Sequence, residues 1–184
     1  MILPIIPYGH AVLRKKGRTI TKITPEIRQL VEDMIETMRE AHGVGLAAQQ
    51  VGHDLQLFVL EITPEISEER PSRKWINDKE VDPHENMPLV LLNPVIELTK
   101  KKELGPEGCL SFPGLSVEIS RGYRVKVEYQ DLEGAKHAFE ATGLLGRAVQ
   151  HEFDHLQGVL FIDRMDPRDR EDMKEEIEAL RQTP

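Results

Sequence analysis

The chain has 184 residues, 39% of them hydrophobic and 30% charged, with a formal net charge of −8; that suits one domain with a real core and argues against general nucleic-acid binding, which needs a basic face. Its single Cys excludes an internal disulfide and fits a reducing, cytoplasmic compartment. No apolar run approaches the roughly 20 residues of a membrane span, and the opening M-I-L-P-I-I-P-Y-G-H has no basic region followed by a long apolar core, so neither a membrane contact nor a signal peptide is expected.

Residues 1–23 read as extended and irregular, punctuated by Pro4, Pro7 and Gly9, with a solvated basic cluster at Arg14, Lys15, Lys16 and Arg18. A helix is predicted over residues 24–43. Thr24 caps it, Pro25 suits the first position, and Ile27, Leu30, Val31, Met34, Ile35, Met38 and Ala41 recur at helical spacing. Residues 43–52, G-V-G-L-A-A-Q-Q-V-G, let backbone approach a neighbour closely but match neither phosphate-loop pattern. They form either a tight segment lining a cleft, with Gln49 and Gln50 as donors, or a packed helix–strand corner with surface glutamines. Composition alone favours the corner.

A strand is predicted over residues 55–62. Residues 63–88 then lose periodicity, turn acidic and outrun the ~12–15 residues usual for a structureless loop. They are expected to be an insertion loop: a flap, an oligomer contact or a mobile segment. Strands at 89–93 and 95–98 are separated by Pro94, and 125–130 with 135–141 alternate about D-L-E-G as a hairpin. Between them, residues 105–114, G-P-E-G-C-L-S-F-P-G, read as turns. Cys109 there is either a small buried hydrophobe or a metal ligand offered from a loop. A charged surface helix is expected over 166–180, with Met173, Ile177 and Leu180 as its only apolar stripe. Removal of the tail from Asp169 onward should leave the chemistry largely intact.

The densest chemical signal is Q-H-E-F-D-H-L-Q-G, residues 150–158. On a helix, His151 and His155 share one face with Cβ atoms roughly 5–6 Å apart, close enough to bind one ion. Glu152 can reach a water at that ion without being a ligand itself, the H-E-x-x-H device of two ligands and a general base. Leu145, Ala148, Val149, Glu152 and Leu156 supply a helical stripe, Leu144, Ala148, His151 and His155 the adjoining one, and Gly158 a stop. Two helical histidines are also a common structural feature, so the motif needs a third ligand and an oxyanion donor elsewhere.

G-V-G-L-A-A-Q-Q, E-G-C-L-S and Q-H-E-F-D-H resemble, in this order, the three signature motifs of peptide deformylases, over about residues 2–165. The resemblance implies an α+β fold, with mixed, mainly antiparallel sheets packed around the helix that carries the H-E-F-D-H motif. It implies removal of the formyl group from the N-terminal formyl-methionine of newly made proteins, so the partners would be N-formylmethionyl nascent peptides. Carried over, Cys109, His151 and His155 would hold one divalent metal ion: Fe(II) natively, with zinc, nickel or cobalt as alternatives. Three ligands leave a fourth position for water, as in catalytic rather than structural sites. Glu152 would be the general base, then the acid. Gln50 and the Leu110 N–H would hold the oxyanion, and Gly45 would bring backbone close to the substrate. Val44, Leu144 and Ala148 would line the methionine pocket. Arg121 and Asp154 would pair behind the site. One position departs: where the family often has an Arg seven residues after the ligand Cys, this chain has Ser116. Some family members dock on the ribosome through a C-terminal helix. Here residues 166–184 hold seven acidic and four basic residues, so any transient ribosome contact should not rest on general electrostatics.

Two other readings compete. A peptidase of the H-E-x-x-H type takes a third His or Glu downstream, yet no His follows His155. A closed structural metal module would need a fourth protein ligand, for which His137 and Asp154 are the spare candidates.

Overall fold

The computed structural model describes residues 1–182. Helix α1 (Pro25–Glu40) begins as predicted, with the Thr24 hydroxyl accepting from the Ile27 N–H at 3.2 Å. It lays Leu30, Val31, Met34 and Met38 against the core. The following glycine-rich stretch forms β1 (Gly45–Ala47) and a short 3-10 turn, Ala48–Val51, in which Gln49 and Gln50 are both buried. The corner is therefore there, but its glutamines are not on the surface.

β1 pairs with β2 (Leu57–Leu60), the core of the strand expected at 55–62. β5 (Leu89–Leu98) continues through Pro94 rather than breaking there. The ladder with β8 (Arg124–Gln130) shifts register between Leu92 and Val95, and Asn93 takes a positive φ. A bulge is how a strand absorbs a proline. β8 and β9 (Lys136–Thr142) make the predicted hairpin.

Residues 63–88 differ from the expected loop. They hold helix α2 (Pro64–Glu69) and strands β3 (Ser72–Ile76) and β4 (Lys79–Val81), and β3 pairs antiparallel with β9. The result is a seven-stranded sheet in the order β1-β2-β5-β8-β9-β3-β4, every neighbouring pair antiparallel. Residues 105–114 differ too. β6 (Lys102–Cys109) and β7 (Phe112–Gly122) form a separate two-stranded ribbon. β7 alternates cleanly, with Leu115, Val117, Ile119 and Arg121 buried.

Helix α3 (Gly143–Leu156) lies between the sheet and the ribbon, and nearly every residue of it is buried. Leu144, Leu145, Ala148, Val149 and Leu156 pack with Phe58, Leu91, Val127 and Phe139 from the sheet. Arg147, Gln150, His151 and Asp154, at spacings of three and four, reach the other way. Gln150, for example, bonds both the N–H and the C=O of Gly122 on β7. The start of α3 is tied down by the segment expected as an insertion. The Pro71 carbonyl accepts from the Leu144 N–H, and the Ser72 hydroxyl accepts from the Leu145 N–H at 2.9 Å. These acceptors satisfy donors that a helix start otherwise leaves open.

The expected C-terminal helix is two short ones, α4 (Pro167–Asp172) and α5 (Lys174–Ala179), interrupted at Met173. Ile177 is buried, and Met173 and Leu180 half-buried, in the cluster of Tyr8, Phe112 and Phe161, which is the expected apolar stripe, while no residue of α4 is buried.

Candidate active site

α3 presents His151 and His155 toward the end of β6, where Cys109 sits. One donor atom from each of the three lies within 4.8 Å of the others. The Cys109 sulfur is 3.4 Å from His155 Nε2, and the two imidazoles stand 5.1 Å apart between centroids. His151 Nδ1 is 2.8 Å from Glu107 Oε1. A proton shared there leaves Nε2 as the free donor atom, the usual way a carboxylate fixes a metal-binding histidine. Among the described residues the cluster has these three members. The spare ligands weighed above are elsewhere engaged: His137 bonds Asp131, and Asp154 is held by Arg121 and Arg164.

The donor set fits a transition-metal ion. It combines one thiol and two imidazoles, with room for a fourth ligand. The surrounding field also favours positive charge. Burial opposes a charged His151, but the Cys109 sulfur and Glu107 outweigh it and push the imidazole up to about 10, so an ion bound at Nε2 would displace a proton from it. Burial and the neighbouring His151 hold His155 well below the usual imidazole range, so it is neutral.

Glu107, which the sequence analysis did not single out, is the hub behind the three candidate ligands. It accepts two bonds from Arg121 and one from Arg147, each at 2.8 Å, besides its contact with His151. Burial raises its carboxyl, yet Arg121 and His151 overcome that and hold it far below the usual carboxylate range. Arg121 also donates to Asp154 at 2.6 Å, so the pairing expected from the resemblance is present, with Glu107 and Arg164 added.

Glu152 faces the opposite way, into the apolar stripe of α3. Its Oε2 is buried with no partner among the described residues, and its Oε1 is 3.9 Å from His151 Nε2. Burial pushes its carboxyl up to about 7. Gly45 makes room for it: a Cβ there would stand 2.9 Å from the Glu152 Oε1 and 2.8 Å from Leu60 Cδ2. This gives Gly45 a steric role that the sequence reading lacked.

Gln50 is oriented by its own turn. Its Oε1 accepts from the Ala47 N–H at 3.0 Å, which aims its amide NH2 at Ser111 Oγ (3.2 Å) and the Cys109 sulfur (3.6 Å). Gln49 instead donates to the Lys15 carbonyl, away from the site. A cleft of about 370 Å³ opens here, and Val44, Leu110, Leu144 and Ala148 line it beside Cys109, His151 and Glu152. A larger trough of about 1450 Å³, lined by residues of β3, β5, β8 and β9, holds none of the three candidate ligands. The cleft is thus lined by every residue picked out from sequence except His155, which meets the Cys109 sulfur just beneath it, and Arg121 and Asp154, which stand behind.

Residues 2–171 match the family model described as polypeptide deformylase. The chain is 47% identical over 181 residues to a peptide deformylase of Methylacidiphilum infernorum, covering 98% of this chain and 94% of the relative. It is 45% identical over 175 residues to that of Thermus thermophilus, covering 93% and 86%. Among solved structures, the peptide deformylase of Thermotoga maritima superposes with a TM-score of 0.76 at 39% identity, covering 91% of this chain and 99% of the other. That of Ehrlichia chaffeensis gives 0.82 at 32%, covering 98% and 95%.

Proposed function

The chain belongs to the polypeptide deformylase family, and from that premise we propose how its own residues carry out the hydrolysis of the N-formyl group at the start of newly made proteins. Cys109, His151 and His155 would hold one divalent ion, which when bound would supply Lewis acidity to the attacking water and the formyl oxygen. We assign Fe(II) as the native ion; the same donor set accommodates zinc, nickel or cobalt.

Glu152 takes the proton of the attacking water and delivers it to the departing amine, so formate and a free amino terminus result. A carboxyl pushed up to about 7 can do both near neutral pH. The Gln50 NH2 and the Leu110 N–H meet the oxygen that gains charge as the formyl carbon becomes tetrahedral. Val44, Leu144 and Ala148 receive the methionine side chain, and Gly45 keeps the Glu152 carboxylate beside the reacting carbon. Arg121 and Asp154 act through Glu107, holding the His151 ring in place.

The observation that carries this reading is three ligand atoms within 4.8 Å of one another beside a cleft that also holds a Glu152 oxygen without a partner among the described residues and an amide donor fixed by its own turn. We place the reaction in the cytoplasm; no helix among the described residues is long and apolar enough to cross a membrane. A transient ribosome contact would be made outside the acidic tail. The test strips the protein anaerobically, reloads each ion, and offers formyl-methionyl peptides beside acetylated and unblocked ones. Formate release from the formylated peptides alone is expected, with an iron form that decays in air. Cleavage of an internal peptide bond, or no formate from any loaded form, would overturn the assignment.

A further inference from the structure

Two guanidinium groups line the cleft, and they differ in what they are free to do. Arg147 is committed: it donates to Glu107, to the Ile119 carbonyl and to the Glu103 carbonyl. Arg70 makes one bond, from Nη2 to the Pro106 carbonyl at 2.9 Å, and among the described residues it has no carboxylate partner. A guanidinium carries five donor N–H groups, so most of the Arg70 fork faces solvent and the cleft mouth unbonded to protein.

Its position is fixed from three sides. The Arg70 N–H closes α2 on the Ile66 carbonyl, the next two residues bond the first amides of α3, and its guanidinium bridges to β6, the strand that ends at Cys109. A peptide that puts its formyl group at Cys109, His151 and His155 and its methionine side chain on Val44 and Leu144 must send the rest of its chain out of the cleft. Beyond the methionine such substrates share only main-chain groups, whose carbonyls are acceptors. A fixed, unpaired guanidinium suits that common feature better than any side-chain pocket would.

We infer that Arg70 is a specificity residue that hydrogen-bonds a main-chain carbonyl of the substrate beyond the methionine. The inference rests on the deformylase reading above. It also gives the residues 63–72 segment a use at the site.

The test compares wild type, Arg70→Ala and Arg70→Lys, loaded with the same ion, on formyl-methionyl-alanyl-serine and on formyl-methionine amide. A hydrogen bond from a charged donor predicts about a tenfold rise in KM for the tripeptide in Arg70→Ala, with kcat little changed. The single-residue substrate should be unaffected, and Arg70→Lys should restore part of the loss. A purely structural role through β6 would disturb Cys109 and impair both substrates alike. That result, or no change with either, overturns the inference. If wild type releases formate from neither substrate, the deformylase reading itself fails and takes this inference with it.

Discussion

Glu107 and Glu152 are both buried and both reach His151, one on each side of α3, yet their surroundings drive them in opposite directions. Glu107 sits among Arg121, Arg147 and His151 and stays ionised. Glu152 sits against Leu60 and Gly45 with an unpartnered oxygen, and burial brings its proton affinity to about neutral pH. One carboxylate is made permanent by cations bonded to it, and the other is made exchangeable by burial, which outweighs the more distant pull of His151 and Arg121. Environment, not residue type, thus separates a carboxylate held ionised from one that can exchange a proton near neutral pH. The helix makes this economical, because its polar stripe faces the ribbon and its apolar stripe faces the sheet.

The contrast can be broken from either side. Arg121→Met should have the largest effect on stability. It leaves Glu107 and Asp154 short of a buried cation, and breaking such a pair costs about 3–5 kcal/mol. Denaturant unfolding should show that loss, and metal affinity should fall with it as His151 loses its fixed partner. Unchanged stability would mean that Arg147 and Arg164 alone hold the two carboxylates. Gly45→Ala attacks the apolar side. The added methyl meets the Glu152 carboxylate and Leu60, and overpacking of this kind costs typically about 1–3 kcal/mol. Here turnover should fall while the metal stays bound, the reverse of the Arg121 outcome. Ser72→Ala touches neither pocket. It removes the acceptor for the Leu145 N–H and should cost about 1 kcal/mol, comparable to a lost helix cap, with kcat of the folded protein intact. A large loss of kcat would show that the start of α3 tunes the site.

How far the sequence carried this account follows from the range of each interaction. Thr24, Pro25 and the H-E-x-x-H spacing are local, and the two helices that they mark lie where they were expected. The E-G-C-L-S stretch put Glu107 on the page, but its role depends on Arg121, Arg147 and His151 arriving from β7 and α3, and nothing local announces that. The ribbon was hidden because Gly105, Pro106 and Gly108 look like turns. β6 has a single partner strand, so a proline costs it little, and Gly105 lies where a Cβ would crowd the Arg147 guanidinium at about 3.0 Å. Residues 63–88 escaped because β3 and β4 are short and highly charged, with Arg73, Lys74, Lys79 and Glu80 masking any alternation. Gln49 and Gln50 were indistinguishable by composition; only the Ala47 N–H, which turns the Gln50 amide toward Cys109, separates them.

The division between ligand and proton carrier is tested most directly by Glu152→Gln, with metal content and turnover measured on the same sample and His155→Ala as the reference for metal loss. The substituted amide is nearly isosteric and cannot carry the proton. Metal occupancy should match wild type while formate release falls by about 10²–10⁴-fold. A Glu152→Gln protein that loses its metal as fully as His155→Ala, or that keeps the wild-type rate, would contradict the account.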